Sequence, residues 1–297
     1  MHDPDFNRYS TIIIDEAHER TVATDILMAL LKSVLKKRPD LRVIIMSATL
    51  DAPTFRQYFS LDGGATPARL MNIPGRSYPV EIFHIRESQQ DHVQMAIEVV
   101  MRIHAGDEPG DILLFLTGEA EIETACKKMR ELVDESYRTN PNITPLDCIP
   151  LYAMLSPEKQ QRIFDPPPNP RTPGGRPGRK VIVATNIAET SLTIDGIYFV
   201  VDCGLAKQKV YIPRTRMSYM PTKRISKASA AQRVGRAGRT GPGKCYRLYT
   251  ADDYEAMVEK TRPEVLNINL THAVLTLLNI GVKVCSLFFF FFHRCMY

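Results

Sequence analysis

Two adjacent carboxylates, Asp15 and Glu16, followed by Ala17 and His18, come directly after the apolar run Tyr9-Ser10-Thr11-Ile12-Ile13-Ile14. Such a short run, rich in β-branched residues, predicts a buried parallel strand, and ligands of open α/β sheets bind just beyond strand carboxyl ends. Asp15 is then placed to hold Mg²⁺, usually through water. Glu16 is placed to orient and deprotonate a water attacking a γ-phosphate. A solvated strand end would also accept two acidic residues, so the remaining sequence must decide between the two readings.

Other residues offer matching chemistry. A second apolar run over 41–46 ends in Ser47-Ala48-Thr49, whose hydroxyls could couple a nucleotide site to a neighbouring domain or simply cap the next helix. Far downstream, Gln232, Arg236 and Arg239 stand at i, i+4 and i+7, one face if the segment is helical. Guanidinium groups suit a transferring phosphoryl group because each can fork two hydrogen bonds onto phosphate oxygens. Gly235 and Gly238 fall in the same stretch. Each glycine costs a helix interior about 1 kcal/mol relative to alanine, so the pair asks for a reason such as close approach of another backbone.

The elements that must position these residues alternate between strand and helix. Residues 1–78 read as strand, a long helix over about 23–37, strand, and then the Gly63-Gly64 and Pro74-Gly75 breaks. From 79 to 252, helical segments over about 91–104 and 119–133 alternate with apolar strand-like runs at 112–116 and 181–184, which predicts an α/β class with parallel sheets. Residues 166–178 are too rich in proline and glycine for an element. Residues 253–283 form a third piece, and 284–297 a Phe-rich tail whose six consecutive apolar residues are far short of the about 20 that span a bilayer. No membrane partner is expected.

Charge is segregated along the chain. The formal net charge is only +5, yet residues 205–247 hold 12 basic residues and no acidic one, leaving the remainder net acidic. Within that stretch 210–214 and 217–224 read as two strands around a turn, with tyrosine and basic side chains. At 44% hydrophobic and 24% charged the composition is that of an ordinary globular protein. The 6 cysteines show neither C-x-x-C pairing nor a tight framework, so reduced thiols without a zinc site are expected.

At this point the residues resemble a family. Asp15-Glu16-Ala17-His18, Ser47-Ala48-Thr49, Leu116-Thr117-Gly118, the run from Ala184 through Glu189 to Asp195-Gly196, and the run from Gln232 to Arg239 are similar, in order and spacing, to motifs II to VI of DEAH-box RNA helicases. The likeness is strongest to the spliceosomal and ribosome-biogenesis branch that releases intron lariats. It implies tandem RecA-like parallel sheets, the first incomplete, followed by the start of a winged-helix domain. It also implies ATP and Mg²⁺ as cofactors, RNA as partner, and a nuclear, possibly also cytoplasmic, location.

The resemblance assigns roles residue by residue. Asp15 and Glu16 serve magnesium and water, and His18, with Ser47 and Thr49, links the nucleotide site to the second domain. Gln232 and Arg239 help hold the attacking water, with Arg236 and Arg239 as arginine fingers in cis. Asp195 contacts the nucleotide and Phe164 stacks on its base, although a phenylalanine is more often core. Thr117, Thr185 and Asn186 reach RNA phosphates, contacts that position a strand without reading sequence. Turn and capping chemistry would use the same residue types.

Departures from the family pattern matter as much. The phosphate-cradling G-x-x-x-x-G-K-[ST] loop, which the family places upstream of Asp15, does not occur in this sequence, and Met1 reads as an internal methionine of a longer family sequence. Glu119-Ala120 stands where the family usually has Gln-Glu. Resemblance ends near Gly281, and the tail reads as translated intron. Glycine-rich-patch activator proteins, which bind C-terminal domains of the family, would need segments this sequence lacks. The main expectation is an ATP-dependent RNA helicase that is truncated at both ends. The rivals are an ATPase-dead RNA-binding fragment and a scaffold that binds no RNA.

Overall fold

A computed structural model describes residues 3, 5–48, 52–60, 67–75, 78–87, 90–106, 108–139, 143–171, 177–190 and 193–279. In chain order the regular elements are β1 (Thr11–Ile14), α1 (Val22–Leu35), β2 (Arg42–Ile45), α2 (Ala52–Phe59), β3 (Val80–His84), α3 (His92–Ala105), β4 (Asp111–Phe115), α4 (Glu119–Thr139), β5 (Leu146–Leu151), α5 (Pro157–Gln161) and β6 (Arg179–Ala184). There follow β7 (Ile197–Asp202), β8 (Leu205–Lys207), β9 (Val210–Ile212), β10 (Met217–Tyr219), β11 (Thr222–Arg224), α6 (Lys227–Gly235), β12 (Gly243–Arg247), α7 (Ala251–Glu255) and α8 (Thr271–Asn279). The chain divides into two compact units. One gathers described residues of Met1–Pro74, Lys209–Tyr219 and Arg262–Tyr297, the other those of Gly75–Gln208 and Met220–Thr261.

In the first unit β1 and β2 pair in parallel, Ile14 opposite Ile45. Helix α1 starts where the Thr21 side chain accepts the Thr24 N–H at 3.2 Å, an N-cap that satisfies one orphan donor. Met28, Leu31 and Val34 recur at helical spacing and bury that face against Ile14, Leu41 and the aromatic side chains of α2. The strand, helix and strand expected over residues 1–46 are all present, the helix running 22–35 rather than 23–37.

The second unit is built on a six-stranded parallel sheet in the order β3-β12-β7-β4-β6-β5. Strands β4 and β6 are buried at every position, as expected where helices or loops cover both faces. Ile112, Leu114 and Leu116 point to one side, among Ile97 and Val100 of α3 and Ile122 and Met129 of α4. Leu113 and Phe115 point to the other, among Ile163, Ala188 and Ala237. Helix α4 runs six residues past its expected end at 133, because its last turns hold no breaker until Asn140-Pro141.

The basic stretch departs from the expected single hairpin. Strands β9 and β10 pair antiparallel, with Ile212 opposite Met217, and belong to the first unit. Strands β8 and β11 form a separate ladder in the second, Lys207 opposite Thr222. The strand expected over 217–224 is interrupted at Met220 and Pro221, where proline has no N–H to give a ladder. Residues 280–297, including the Phe-rich tail, lie outside the described residues.

Candidate functional site

In the first unit the tetrad sits where β1 ends. Met46 N–H donates to Ile14 O at 2.8 Å and Ala17 N–H to Met46 O at 3.0 Å, so the chain beyond each strand stays laced to the other. Between them Glu16 takes a left-handed backbone conformation, φ 51°, ψ 36°, and Arg20 does the same at φ 50°. Non-glycine residues rarely adopt this conformation, and such strain concentrates at functional sites. The turn delivers His18 Nε2 to 3.3 Å from Glu16 Oε2, while the Ala48 N–H donates to His18 Nδ1 at 3.3 Å. An Nδ1 that accepts is unprotonated, so in neutral His18 the proton is on Nε2, facing Glu16. One imidazole thereby joins the Asp15-Glu16 turn to the 47–48 loop. Thr49 lies outside the described residues.

Asp15 is exposed, and its Oδ1 accepts the Glu16 N–H at 2.8 Å. The fit to magnesium can be judged from this donor set. A hard, exposed carboxylate at a strand end suits Mg²⁺, which is commonly held by one or two carboxylates plus substrate phosphates and water rather than by a protein cage. Among the described residues no group of three or more His, Cys, Asp or Glu could hold a metal ion alone. Asp15 and Glu16 therefore fit an ion that would arrive with phosphate and water ligands of its own.

In the second unit the expected RNA contacts lie at the carboxyl edge of the sheet. Thr117 follows β4, and its N–H donates to Glu121 Oε2 at 3.0 Å, while its hydroxyl is buried without a partner. Glu121 Oε2 also lies 3.3 Å from His92 Nε2. Thr185 and exposed Asn186 follow β6, with Thr185 N–H bound to Leu151 O at 3.1 Å. Lys207 lies directly over Gly118, where an added Cβ would stand 2.8 Å from its Nζ. Thr117, Thr185 and Asn186 thus share one edge, with an exposed lysine beside them.

The three residues expected on one helical face are arranged differently. Helix α6 ends at Gly235, Arg236 is its C-cap, and Arg239 lies beyond it in a turn. The i, i+7 relation of Gln232 to Arg239 is lost because the Arg236 N–H closes a tight bond to Arg233 O instead of continuing the helix. Arg236 is buried, its Nη2 donating to the carbonyls of Glu189 and Thr190, the latter at 3.0 Å. Arg239 Nη1 donates to Thr193 Oγ1 at 2.5 Å. Of the two glycines, Gly238 does admit a close backbone, since an added Cβ would meet Tyr78 O at 2.7 Å. Gly235 faces open space instead.

Arg233, within the same motif but without an assigned role, organises the interior. Its exposure is 0%, and it donates from Nε to Glu189 Oε1 at 2.8 Å, from Nη1 to Asp202 Oδ1 at 2.6 Å and from Nη2 to Leu205 O at 3.2 Å. Ser229 Oγ donates to the other Glu189 oxygen at 2.7 Å, and Tyr249 OH to Asp202 Oδ2 at 2.9 Å. Burial disfavours the guanidinium charge, but Asp202 and then Glu189 more than offset it, so its pKa stands above the ordinary arginine value. Glu189 and Arg233 carried one signal in the sequence, charged residues at positions otherwise reading as core.

Phe164 and Asp195 lie at the opposite, amino edge of the sheet. Phe164 ends a short 3₁₀ turn, Arg162–Phe164, whose Ile163 is buried while Phe164 is 59% exposed. Pro157, Gln160, Gln161 and Ile163 line, with it, an open cavity of about 220 Å³. Exposed Asp195 precedes Gly196, which turns the chain into β7 at φ 84°. The Gly196 carbonyl accepts the N–H of Asp111 at 2.8 Å.

The basic stretch is less available than its sequence implies. Arg233, Arg236 and Arg247 are buried, Arg224 pairs with Asp253 at 2.7 Å, Lys227 with Glu255 and Glu259 at 3.0 Å each, and Lys244 with Glu108. Among the described residues, Lys207, Lys209, Arg214, Arg216, Lys223 and Arg239 remain outside such ion pairs. The four cysteines among the described residues are free and buried, and burial pushes the Cys126, Cys148 and Cys203 thiols up to about 12. No described helix is long and apolar enough to cross a membrane.

Comparison with known proteins accords with this geometry. Residues 91–241 match the helicase conserved C-terminal domain. The chain is 50% identical over 282 residues to the pre-mRNA-splicing factor ATP-dependent RNA helicase prp22 of Schizosaccharomyces pombe, covering 95% of this chain and 23% of that protein. It superimposes with a TM-score of 0.77 on the crystal structure of the Escherichia coli DEAH/RHA helicase HrpB, at 35% identity, covering 95% of this chain and 33% of that one. A second structure, of the E. coli DExH-box NTPase HrpB, gives 0.75 at 35% identity over 95% and 32%. The chain thus spans about a quarter of the curated relative and a third of the solved structures. The parallel sheet of the second unit has the RecA-like helicase fold that the motifs implied. Sequence match and fold agree that the chain belongs to the DEAH-box helicase family, residues 91–241 being its helicase conserved C-terminal domain.

Proposed function

We propose that this chain is part of the motor of an ATP-dependent RNA helicase, coupling ATP hydrolysis to RNA translocation, unwinding or remodelling of RNA–protein particles in pre-mRNA splicing or ribosome biogenesis. The observation that carries the reading is the His18 imidazole set between the Glu16 carboxylate and the Ala48 N–H, each at 3.3 Å. A carboxylate whose orientation is fixed by a donor is what a general base needs in order to point at an attacking water.

In this reading Asp15, with Glu16, would hold the Mg²⁺ that accompanies ATP, and the ion would supply positive charge to offset that of the phosphates. Glu16 takes the proton from water. Ser47 and Thr49 pass the state of the site onward through His18. Gln232 and Arg239 steady the water, and Arg236 and Arg239 approach the phosphates, Arg236 by leaving the carbonyls of Glu189 and Thr190. Phe164 stacks on the base and Asp195 contacts the nucleotide. Thr117, Thr185 and Asn186 hold RNA phosphates from the other sheet edge.

Residues 1–78 are assigned to the C-terminal half of a first RecA-like domain, 79–252 to a second and 253–283 to the start of a winged helix. That the S. pombe relative is a pre-mRNA-splicing factor supports a nuclear location. Glycine-rich-patch activators are proposed as partners acting through further C-terminal domains. The test is ATP turnover with and without single-stranded RNA, beside RNA binding by fluorescence anisotropy. RNA-stimulated turnover supports the motor. RNA binding without turnover supports a silent RNA-binding fragment, and neither activity overturns both readings.

A further inference from the structure

We propose that the buried Asp111–Lys180 pair is the positioning device of the nucleotide edge, Lys180 setting the turn that presents Phe164 and Asp111 the turn that carries Asp195. The inference rests on the reading of Phe164 and Asp195 as nucleotide contacts and supplies what holds them in place.

Lys180 is the second residue of β6, in the sequence Arg179-Lys180-Val181-Ile182-Val183-Ala184, and only 5% of it is exposed. A buried ammonium is costly unless its donors are met. Here Nζ donates to Asp165 O at 2.7 Å and to Ile163 O at 3.1 Å, with Asp111 Oδ2 at 3.7 Å as counter-charge. Two carbonyls thus accept from the ammonium and a carboxylate balances its charge. The two carbonyls belong to the residues on either side of Phe164.

A valine or isoleucine would serve the strand as well, so the strand does not explain the lysine. Nor does anchoring of the turn, since Ile163 already buries its side chain at 1% exposure. What the ammonium adds is a fixed backbone directly before and after Phe164, the exposed side chain among those that line the open cavity. A ring that stacks on a base must be held at a set tilt, because stacking falls away as the planes separate.

Asp111 completes the arrangement. Its Oδ1 accepts the Lys180 N–H at 2.8 Å, and its own N–H donates to Gly196 O, next to Asp195. An added Cβ at Gly196 would lie 3.4 Å from Asp111 Oδ2, so the glycine turn passes close against the same carboxylate. The two turns are thus fastened to one buried ion pair.

The whole chain contains no tryptophan, so Phe164→Trp introduces a single indole fluorophore at the platform. The anisotropy of that indole is expected to fall when Lys180→Met is added, and to fall likewise with Lys180→Gln, which is too short to bridge both carbonyls and serves if the methionine variant does not fold. Unchanged anisotropy in a folded variant overturns the proposal. The second readout is the affinity for mant-ADP. Phe164→Ala is expected to weaken it by about 5- to 100-fold, the worth of one stacked base. Lys180→Met is expected to weaken it by about 3- to 10-fold when Phe164 is present and by less than about twofold when Phe164 is alanine, the non-additivity of residues that act through one another. Equal losses in both backgrounds would mean that Lys180 acts on general stability, and would also overturn the proposal. If Phe164→Ala alone leaves mant-ADP affinity unchanged, the base-stacking reading fails, and the indole anisotropy still decides whether Lys180 holds the turn.

Discussion

Arg233 Nη1 stands 2.6 Å from Asp202 Oδ1, and neither side chain has any solvent exposure. The pair joins the helix carrying Gln232 to the end of a central strand, and Glu189 extends it to the loop that follows β6. Breaking one member of a buried ion pair strands its partner charge, at about 3 to 5 kcal/mol. Arg233→Met is therefore expected to lower stability by about that amount in urea denaturation. It leaves two carboxylates without their cation, so Asp202→Asn, which removes one carboxylate charge and keeps one oxygen to accept the Gly204 N–H, is expected to cost less.

Glu16→Gln should abolish or cut ATP turnover by at least about 10²-fold, the usual worth of a general base, while RNA affinity in anisotropy titrations stays the same. Unchanged turnover would refute the role given to Glu16. His18→Ala should also lower turnover, through loss of the bond that orients Glu16, and a smaller loss than for Glu16→Gln is expected.

The His92–Glu121 contact predicts a pH window. Burial raises the Glu121 pKa, but hydrogen bonds from His92 and Thr117 outweigh it and bring the carboxyl from 4.5 to about 2. Glu121 in turn raises His92 above 6.5. A lowered carboxyl stabilises the fold above its unfolded pKa and loses that effect as pH falls toward the folded one. A raised histidine stabilises below its unfolded pKa and loses that effect as pH rises through the folded one. The difference in Tm between wild type and Glu121→Gln should therefore be greatest between about pH 4.5 and 6.5 and shrink on both sides.

Gly204 adopts φ 72°, and an added Cβ would lie 2.5 Å from Tyr249 Cδ1. Gly204→Ala combines left-handed strain with displacement of the ring whose hydroxyl binds Asp202. A loss of about 1 to 3 kcal/mol is expected in thermal or urea unfolding, on the scale of one strained residue. No change in stability would mean that the Tyr249–Asp202 bond adjusts freely.

Salt dependence of RNA binding tests how much of the basic stretch faces solvent. If only Lys207, Lys209, Arg214, Arg216 and Lys223 meet RNA phosphates, they contribute a slope of log K against log salt of about −3.5, whereas all twelve basic residues would contribute about −8, at roughly −0.7 per contact for single strands. Binding isotherms at several salt concentrations distinguish the two.

The tetrad, its strand, the following helix and the family were legible because they depend on local order. Apolar periodicity marks strands and helices, and a contiguous motif keeps its residues adjacent whatever the fold does. The separation of Phe164 and Asp195 from Thr117, Thr185 and Asn186 was not legible. All of these come from loops next to strands, and sequence does not say at which edge of a sheet a loop lies until the strand order is known. Gln232 and Arg239 would share one face only in a continuous helix, and the end of α6 at Gly235 is set by a local turn within a helix-compatible sequence.

Sequence by itself determined the chemistry on offer, the carboxylates, imidazole and guanidinium groups and their order, and with it the helicase family. Only the tertiary structure decided which charges are buried. Lys180 and Asp111 look in the sequence like any other polar residues, and Arg224, Lys227 and Lys244 like free cations. A charge acquires its role from the dielectric around it and from partners brought across the fold, as when the Lys180 ammonium and the Asp111 carboxylate, 69 positions apart, come to 3.7 Å.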